Sequence, residues 1–203
     1  PPSPGPKATD QVNLTDEESR IMPVAGGGFE QAYNAQAAVD ATTMLVLGTG
    51  VTQAPNDKEQ ITPMLATLAA QSPTVGVTQM IADTGFYSEA NIQACTMAGM
   101  EPFIAVARDE HHPDWRARHS EPPALPANAT TAQTMAHRLK TKAGRAHYAL
   151  RKQTVEPVFG IIKSVLGFRQ FSLRGLAQVR GEWSLVCLAW NLKRMAALRP
   201  KFG

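Results

Sequence analysis

The sequence predicts an α/β chain whose mixed sheet joins an antiparallel hairpin to a parallel strand–helix–strand unit, followed by a helical carboxy-terminal third. Three observations carry this. Two alternating or apolar runs flank a turn-like segment at residues 40–43, two short strands enclose a capped helix between residues 77 and 107, and apolar residues recur at helical spacing from about residue 131 onward. The chain has 203 residues, 43% hydrophobic and 18% charged, enough for one sizeable core and inconsistent with a fibre or a disulfide miniprotein. No stretch approaches the roughly 18 apolar residues of a membrane span, and the Pro-rich start Pro1–Lys7 lacks the charged-then-apolar order of a signal peptide. A bacterial cytoplasmic location without a membrane partner is therefore expected. Cys95 and Cys187 each sit in an apolar helical pattern and are expected to be buried free thiols.

Residues 1–28 have linker or cut-end composition, Pro-rich and then punctuated by Gly26, Gly27 and Gly28, and are expected to be largely irregular. The run FEQAYNAQAAVD and the segment MLVLGTGVTQ form the expected hairpin, residues 29–39 and 44–53. Pro55, Asn56 and Asp57 end it and lead into a helix over 58–70, with Ile61, Met64, Leu65 and Leu68 on one face. A strand over 77–83 follows, then a helix over 88–99 with Ser88 as N-cap, then a strand over 101–107. That spacing implies a parallel crossover. Residues 108–130 are a polar, Pro-rich loop; the helices expected after it cover 131–152, 156–166 and 174–198. Trp183 and Trp190, seven apart on one helical face, read as core anchors.

The net charge of +3 conceals a division. Residues 1–136 hold 6 Lys and Arg against 15 Asp and Glu, a net of −9, whereas residues 137–203 hold 14 against 2, a net of +12. Such a basic third suits either a polyanionic partner or an ordinary solvated face. Asp83 lies at the carboxyl end of a strand, where open α/β sheets place their sites, although a turn aspartate has the same signature. Glu156 is one of the two acids after residue 136 and lies among Arg151, Lys152 and Lys163, as a local ion-pair partner or as a metal ligand beside a phosphate-binding surface. Carboxylates brought together by the fold are the hard oxygen donors that suit Mg²⁺ or Mn²⁺ in phosphodiester cleavage. Pro157 directly after Glu156 places that glutamate at a helix start or a kink, a start adding partial positive charge near the acid. His111 and His112, between Asp109 and Asp114, lack the spacing of a tetrahedral zinc site and read as polar loop. Neither Thr84-Gly85 nor Gly26–Gly28 makes a phosphate loop, since the required lysine is absent.

The pieces GGFEQAYNAQAAVD, IADTGFYSEANI and YALRKQTVEPVFGIIKSVLGFRQFSLRGLAQVRGEWSLVCLAWNL, spanning about residues 27–192, resemble the DDE transposases of bacterial insertion sequences, enzymes with an RNase H-like catalytic core. The last block is the specific one: the family's Tyr, Arg, Glu, Lys signature falls on Tyr148, Arg151, Glu156 and Lys163. Four residues separate Arg151 from Glu156 where relatives usually have three, so Lys152 holds the expected register. The resemblance implies that Asp83 and Glu156 are the second and third members of a metal-binding Asp-Asp-Glu triad holding two Mg²⁺ or Mn²⁺ ions. It implies contacts to DNA phosphates for Tyr148, Arg151, Lys152, Lys163, Arg169 and Arg174. The first aspartate belongs on a core strand before the hairpin, and nothing of that kind precedes Asn13. Asp16 and Asp40 are the substitutes nearest the right place, but Asp16 reads better as a cap or turn residue and Asp40 as a hairpin-turn residue.

Residues 29–203 are accordingly expected to be a partial RNase H-like transposase catalytic domain, without the first core strand and an amino-terminal DNA-binding region. The complete enzyme would cleave double-stranded DNA at transposon ends and join it to target DNA, as a nucleoid-associated homodimer, and the fragment would be inactive alone. Two further readings stand beside this one: a non-catalytic DNA-binding or dimerising fragment, and a remnant of a decayed mobile element.

Overall fold

A computed structural model of the chain describes residues 12–24, 26–71, 76–107 and 120–199. The first hairpin pairs β1 (Arg20–Pro23) with β2 (Phe29–Ala32), antiparallel, with Pro23 opposite Phe29. Gly26, Gly27 and Gly28 turn it at φ of 96°, 92° and 95°, a region that side chains with a Cβ rarely enter. A second antiparallel hairpin pairs β3 (Asn34–Val39) with β4 (Val46–Thr52). The strand expected over 29–39 is thus two strands broken at Tyr33, and its first half pairs with a strand inside the segment expected to be irregular. Alternation reports that a run is extended; it does not report its partner. Asp40 is the turn residue expected, its Oδ2 accepting from the backbone N–H and hydroxyl of Thr43 at 2.7 and 2.5 Å.

Helix α1 (Ile61–Gln71) starts three residues later than expected and holds Pro63 in its first turn, where no N–H is needed. Strand β5 (Gln79–Ala82), helix α2 (Glu89–Met97) and strand β6 (Glu101–Ile104) form the expected parallel unit, with Ser88 accepting from the Asn91 N–H at the start of α2. The three strand pairs are separate two-stranded ladders among the described residues, so the expected mixed sheet is not hydrogen-bonded into one piece. Residues 108–119, including the His111–His112 segment, lie outside the described residues, as do residues 1–11.

The carboxy-terminal third is helical, with its break elsewhere than expected. Helices α3 (Thr131–Lys140) and α4 (Lys142–Ser164) are divided at Thr141, and α5 (Leu176–Leu198) follows. Thr141 leaves helical geometry, accepts from the Gly144 N–H at 3.0 Å and donates to the Arg138 carbonyl at 2.8 Å. Pro157 lies inside α4, so Glu156 is mid-helix; the helix start expected there, with its partial positive charge, is absent. Thr154, Val158 and Ile162 are buried on the inner face of the same helix, which holds it in register past the proline.

Two apolar cores result. Val46 and Val51 of the β3–β4 hairpin pack with Val158 and Ile162 of α4 and with Val179, Trp183, Cys187 and Trp190 of α5. Ile61, Ala82, Ile92, Cys95, Ile104 and Met135 form the other, around the parallel pair. Helix α4 touches β3, β5 and β6, and so spans both. The two tryptophans are core anchors, as expected, and each also donates its indole N–H to the hairpin, Trp183 to the Gln36 carbonyl at 2.8 Å and Trp190 to that of Met44 at 2.9 Å. Asn191 bonds both backbone groups of Val46 at 2.8 Å. Both cysteines are buried and free, and burial pushes their thiols up, Cys95 to about 11 and Cys187 to about 12.

The start of α5 is closed by a distant segment. Asp16 accepts from the Tyr33 hydroxyl at 2.8 and 2.9 Å and from the Gly175 N–H at 3.2 Å, while Glu18 accepts from the Leu176 N–H at 2.8 Å. Burial alone would raise the Asp16 carboxyl, but the Tyr33 hydroxyl and the N–H groups of Gly175, Glu18 and Ser19 outweigh it and hold the group below the ordinary 3.8. Burial and the Asp16 charge push the Tyr33 phenol up to about 12. Asp16 is thus a cap, as its sequence context suggested, though of a helix 159 residues away.

Two predictions follow from this packing. A Cβ on Gly144 would land on the Arg138 carbonyl oxygen, so Gly144→Ala should cost about 1–3 kcal/mol in denaturant unfolding. Because the Asp16 carboxyl is lowered in the folded chain, its contribution is complete above the ordinary carboxylate range and fades as pH falls through it. Asp16→Asn should therefore lower Tm by several degrees at neutral pH, with the difference from wild type shrinking between about pH 5 and about pH 3.

Candidate functional site

Asp83 follows β5 and begins the 3₁₀ turn Thr84–Phe86. Its Oδ1 accepts from the Gly85 N–H at 2.8 Å, which fixes the carboxylate at the strand end and leaves Oδ2 to face α4. There Arg151 meets it, Nη1 to Asp83 Oδ2 at 3.8 Å, while Nη2 of the same guanidinium reaches Glu156 Oε1 at 3.1 Å. The fold therefore brings together Asp83 and Glu156, 73 positions apart, through one cation. The Arg151 guanidinium also lies 5.8 Å from the centroid of the Tyr148 ring, so the four residues form one cluster. The carboxylate side chains are about half exposed, 46% for Asp83 and 52% for Glu156, so each ion pair is worth only ~0–1 kcal/mol.

Arg151, rather than Lys152 in the expected register, reaches the carboxylates, because the long arginine side chain spans the extra residue. Lys152, Lys163, Arg169 and Arg174 are exposed. Arg169 Nε donates to the Lys163 backbone carbonyl at 3.4 Å at the end of α4. Neither Asp16, which caps α5, nor Asp40, which closes the second hairpin turn, joins the cluster.

Asp57 is the neighbour that sequence reasoning passed over as a strand terminator. The side-chain amides of Asn34 and Gln36 donate to its Oδ1, each at 2.7 Å. Its Oδ2 and Asp83 Oδ1 lie 3.2 and 3.1 Å from the point a Cβ on Gly85 would occupy, so the absent side chain leaves room for both carboxylates. Asn91, buried on α2, ties the two turns together by donating to the carbonyls of Lys58 at 2.6 Å and Phe86 at 2.7 Å. The one available signal was the pair Asn34 and Gln36, amides two apart on a strand and hence on one face.

Asp83 and Glu156 are the oxygen donors a hard divalent ion prefers. Among the described residues, however, no three His, Cys, Asp or Glu side chains are grouped to hold a metal, and a guanidinium stands between the two that face each other. This set as it stands does not fit a two-ion centre. No helix among the described residues is long and apolar enough to cross a membrane.

No curated protein and no solved structure matches the chain. Residues 116–196, which hold Tyr148, Arg151, Glu156 and the exposed basic side chains while Asp83 lies before them, match the family model described as Transposase DDE domain.

Proposed function

We propose that the chain is the catalytic portion of a DNA transposase with an RNase H-like core, which cleaves DNA strands at transposon ends and joins them to target DNA. The meeting of Asp83, at a strand end, with Glu156, on a helix of the matched segment, is the observation that carries this reading. DDE transposases work with divalent metal, which supplies an activated water and a counter-charge for the leaving oxygen. Here the two carboxylates would contribute oxygen ligands and a further carboxylate would have to come from outside the described cluster. A strand carrying it has room to pair, because β3 and β5 are each hydrogen-bonded to one neighbouring strand only among the described residues and both pack on α4. Lys152, Lys163, Arg169 and Arg174 would hold DNA phosphates, giving affinity without base specificity. A nucleoid-associated bacterial homodimer is the setting this reading implies.

A second reading, a DNA-binding or dimerising portion without catalysis, is favoured by the guanidinium that already neutralises the carboxylate pair. The two part company in one set of assays. With Mg²⁺ or Mn²⁺ the 203-residue chain alone should not cut end-containing DNA efficiently; efficient cutting would defeat the incomplete-site reading. Duplex binding should weaken steeply with salt, and each of Lys163→Ala and Arg169→Ala should reduce the slope of log K against log salt by about 1. Binding that survives Asp83→Ala and Glu156→Ala, with no cutting once a carboxylate-bearing upstream strand is supplied, would establish the second reading.

A further inference from the structure

We propose that the outward face of helix α5 is a self-association surface, on which a second copy of this chain docks with its own α5 antiparallel to the first. The inward face is already taken: Val179, Trp183, Cys187 and Trp190 are buried against the β3–β4 hairpin and α4. On the opposite side Leu185, Leu188, Leu192 and Met195 recur at intervals of three, four and three, the spacing at which one helix meets another. These four side chains are between 44% and 67% exposed. A solvated helix face ordinarily carries charge, yet the helical rotation keeps every charged residue between Gln178 and Ala196 off this stripe.

Charge selects the occupant and its direction. Glu182 and Lys193, about three turns apart, flank the stripe on the same side. Glu182 is held there by the Ser172 N–H, at 2.9 and 3.1 Å, and by the Leu173 N–H, at 2.9 Å. An antiparallel pair with its two-fold axis between positions 187 and 188 sets Glu182 of each copy beside Lys193 of the other, so the contact is complementary at both ends. The same register places Leu188 against Leu188 and seats Leu192 over Gly181, where an added Cβ would meet nothing within 4 Å. A parallel pair would instead match Glu182 with Glu182 and Lys193 with Lys193, and would align the helix dipoles. The four large side chains, with exposed Ala189 and Ala196 beside them, present on the order of 500 Å² per copy, or roughly 1,000 Å² for a pair, which is where specific interfaces begin. The dimer is therefore a weak, exchanging one. This surface does not depend on the transposase reading, since pairing the helices needs neither the carboxylates nor DNA.

Sedimentation equilibrium of the 203-residue chain should show a monomer–dimer balance with Kd of roughly 1–100 µM. Leu188→Glu, at an exposed position, should weaken it at least about tenfold while leaving the circular dichroism spectrum and Tm unchanged. Both native thiols are buried, so mild oxidation of Leu188→Cys should yield a covalent dimer. Met195→Cys should not cross-link, because the antiparallel register sets the two positions about 20 Å apart along the helix axes. Association unaffected by Leu188→Glu, or cross-linking of Met195→Cys as readily as of Leu188→Cys, overturns the antiparallel pairing. A chain that stays monomeric up to about 500 µM overturns it as well; if Leu188→Glu then lowers Tm, another segment of the same chain covers the stripe. None of these outcomes bears on the transposase reading, which DNA cutting and binding test separately.

Discussion

The structure depends on helix α4 running unbroken past Pro157. Proline in a helix interior removes one hydrogen bond and crowds the preceding turn, a cost of ~3 kcal/mol or more. On the same helix, Val158 is fully buried and Ile162 is 1% exposed, and such side chains contribute roughly 1.5–3 kcal/mol each when removed from water. The packing term is thus at least as large as the local penalty, and the helix holds. Because it holds, Glu156 is carried at mid-helix toward the end of β5, and one rod joins the core of the β3–β4 hairpin to the core of the parallel pair.

Helix α5 does the corresponding task for the hairpin. An edge strand leaves backbone groups without partners, and here side chains of α5 take several of them. Trp183, Trp190 and Asn191 are joined in this by Arg194, which donates to the Thr43 carbonyl at 2.7 Å, and by Arg180, which donates to that of Val51 at 3.1 Å. The tryptophans therefore unite apolar burial with a hydrogen bond at the polar tip, the combination a buried indole needs. Part of the basic excess of this third is thus engaged with the hairpin backbone, which arithmetic on charge cannot reveal.

The candidate site combines economy with tension. Asp83 is held by its own turn, the neighbouring Asp57 is held by two amides, and Asn91 ties their turns together, so the backbone around the strand end is well determined. The side chains facing across the site are governed by a single arginine whose buried Nε is unsatisfied. A pair of half-exposed carboxylates with one shared cation contributes little to stability.

Local chemistry made much of this legible. The Ser88 cap, the turn role of Asp40, the parallel β5–α2–β6 unit and the buried thiols all follow from residue type and short-range spacing, because caps, turns and periodicity are decided within a few residues. Long-range pairing decided the rest. Tyr33 divides a run that looks continuous, since β1 claims its first half; Thr141 rather than Pro157 breaks the helices, since core packing outweighs a local penalty; Asp16 caps a helix far along the chain. The sequence by itself determined which residues are able to carry chemistry. Tertiary structure decided that Arg151 stands between two of them and that Asp57 lies beside one, because charge and distance in space are not readable from separation along a chain.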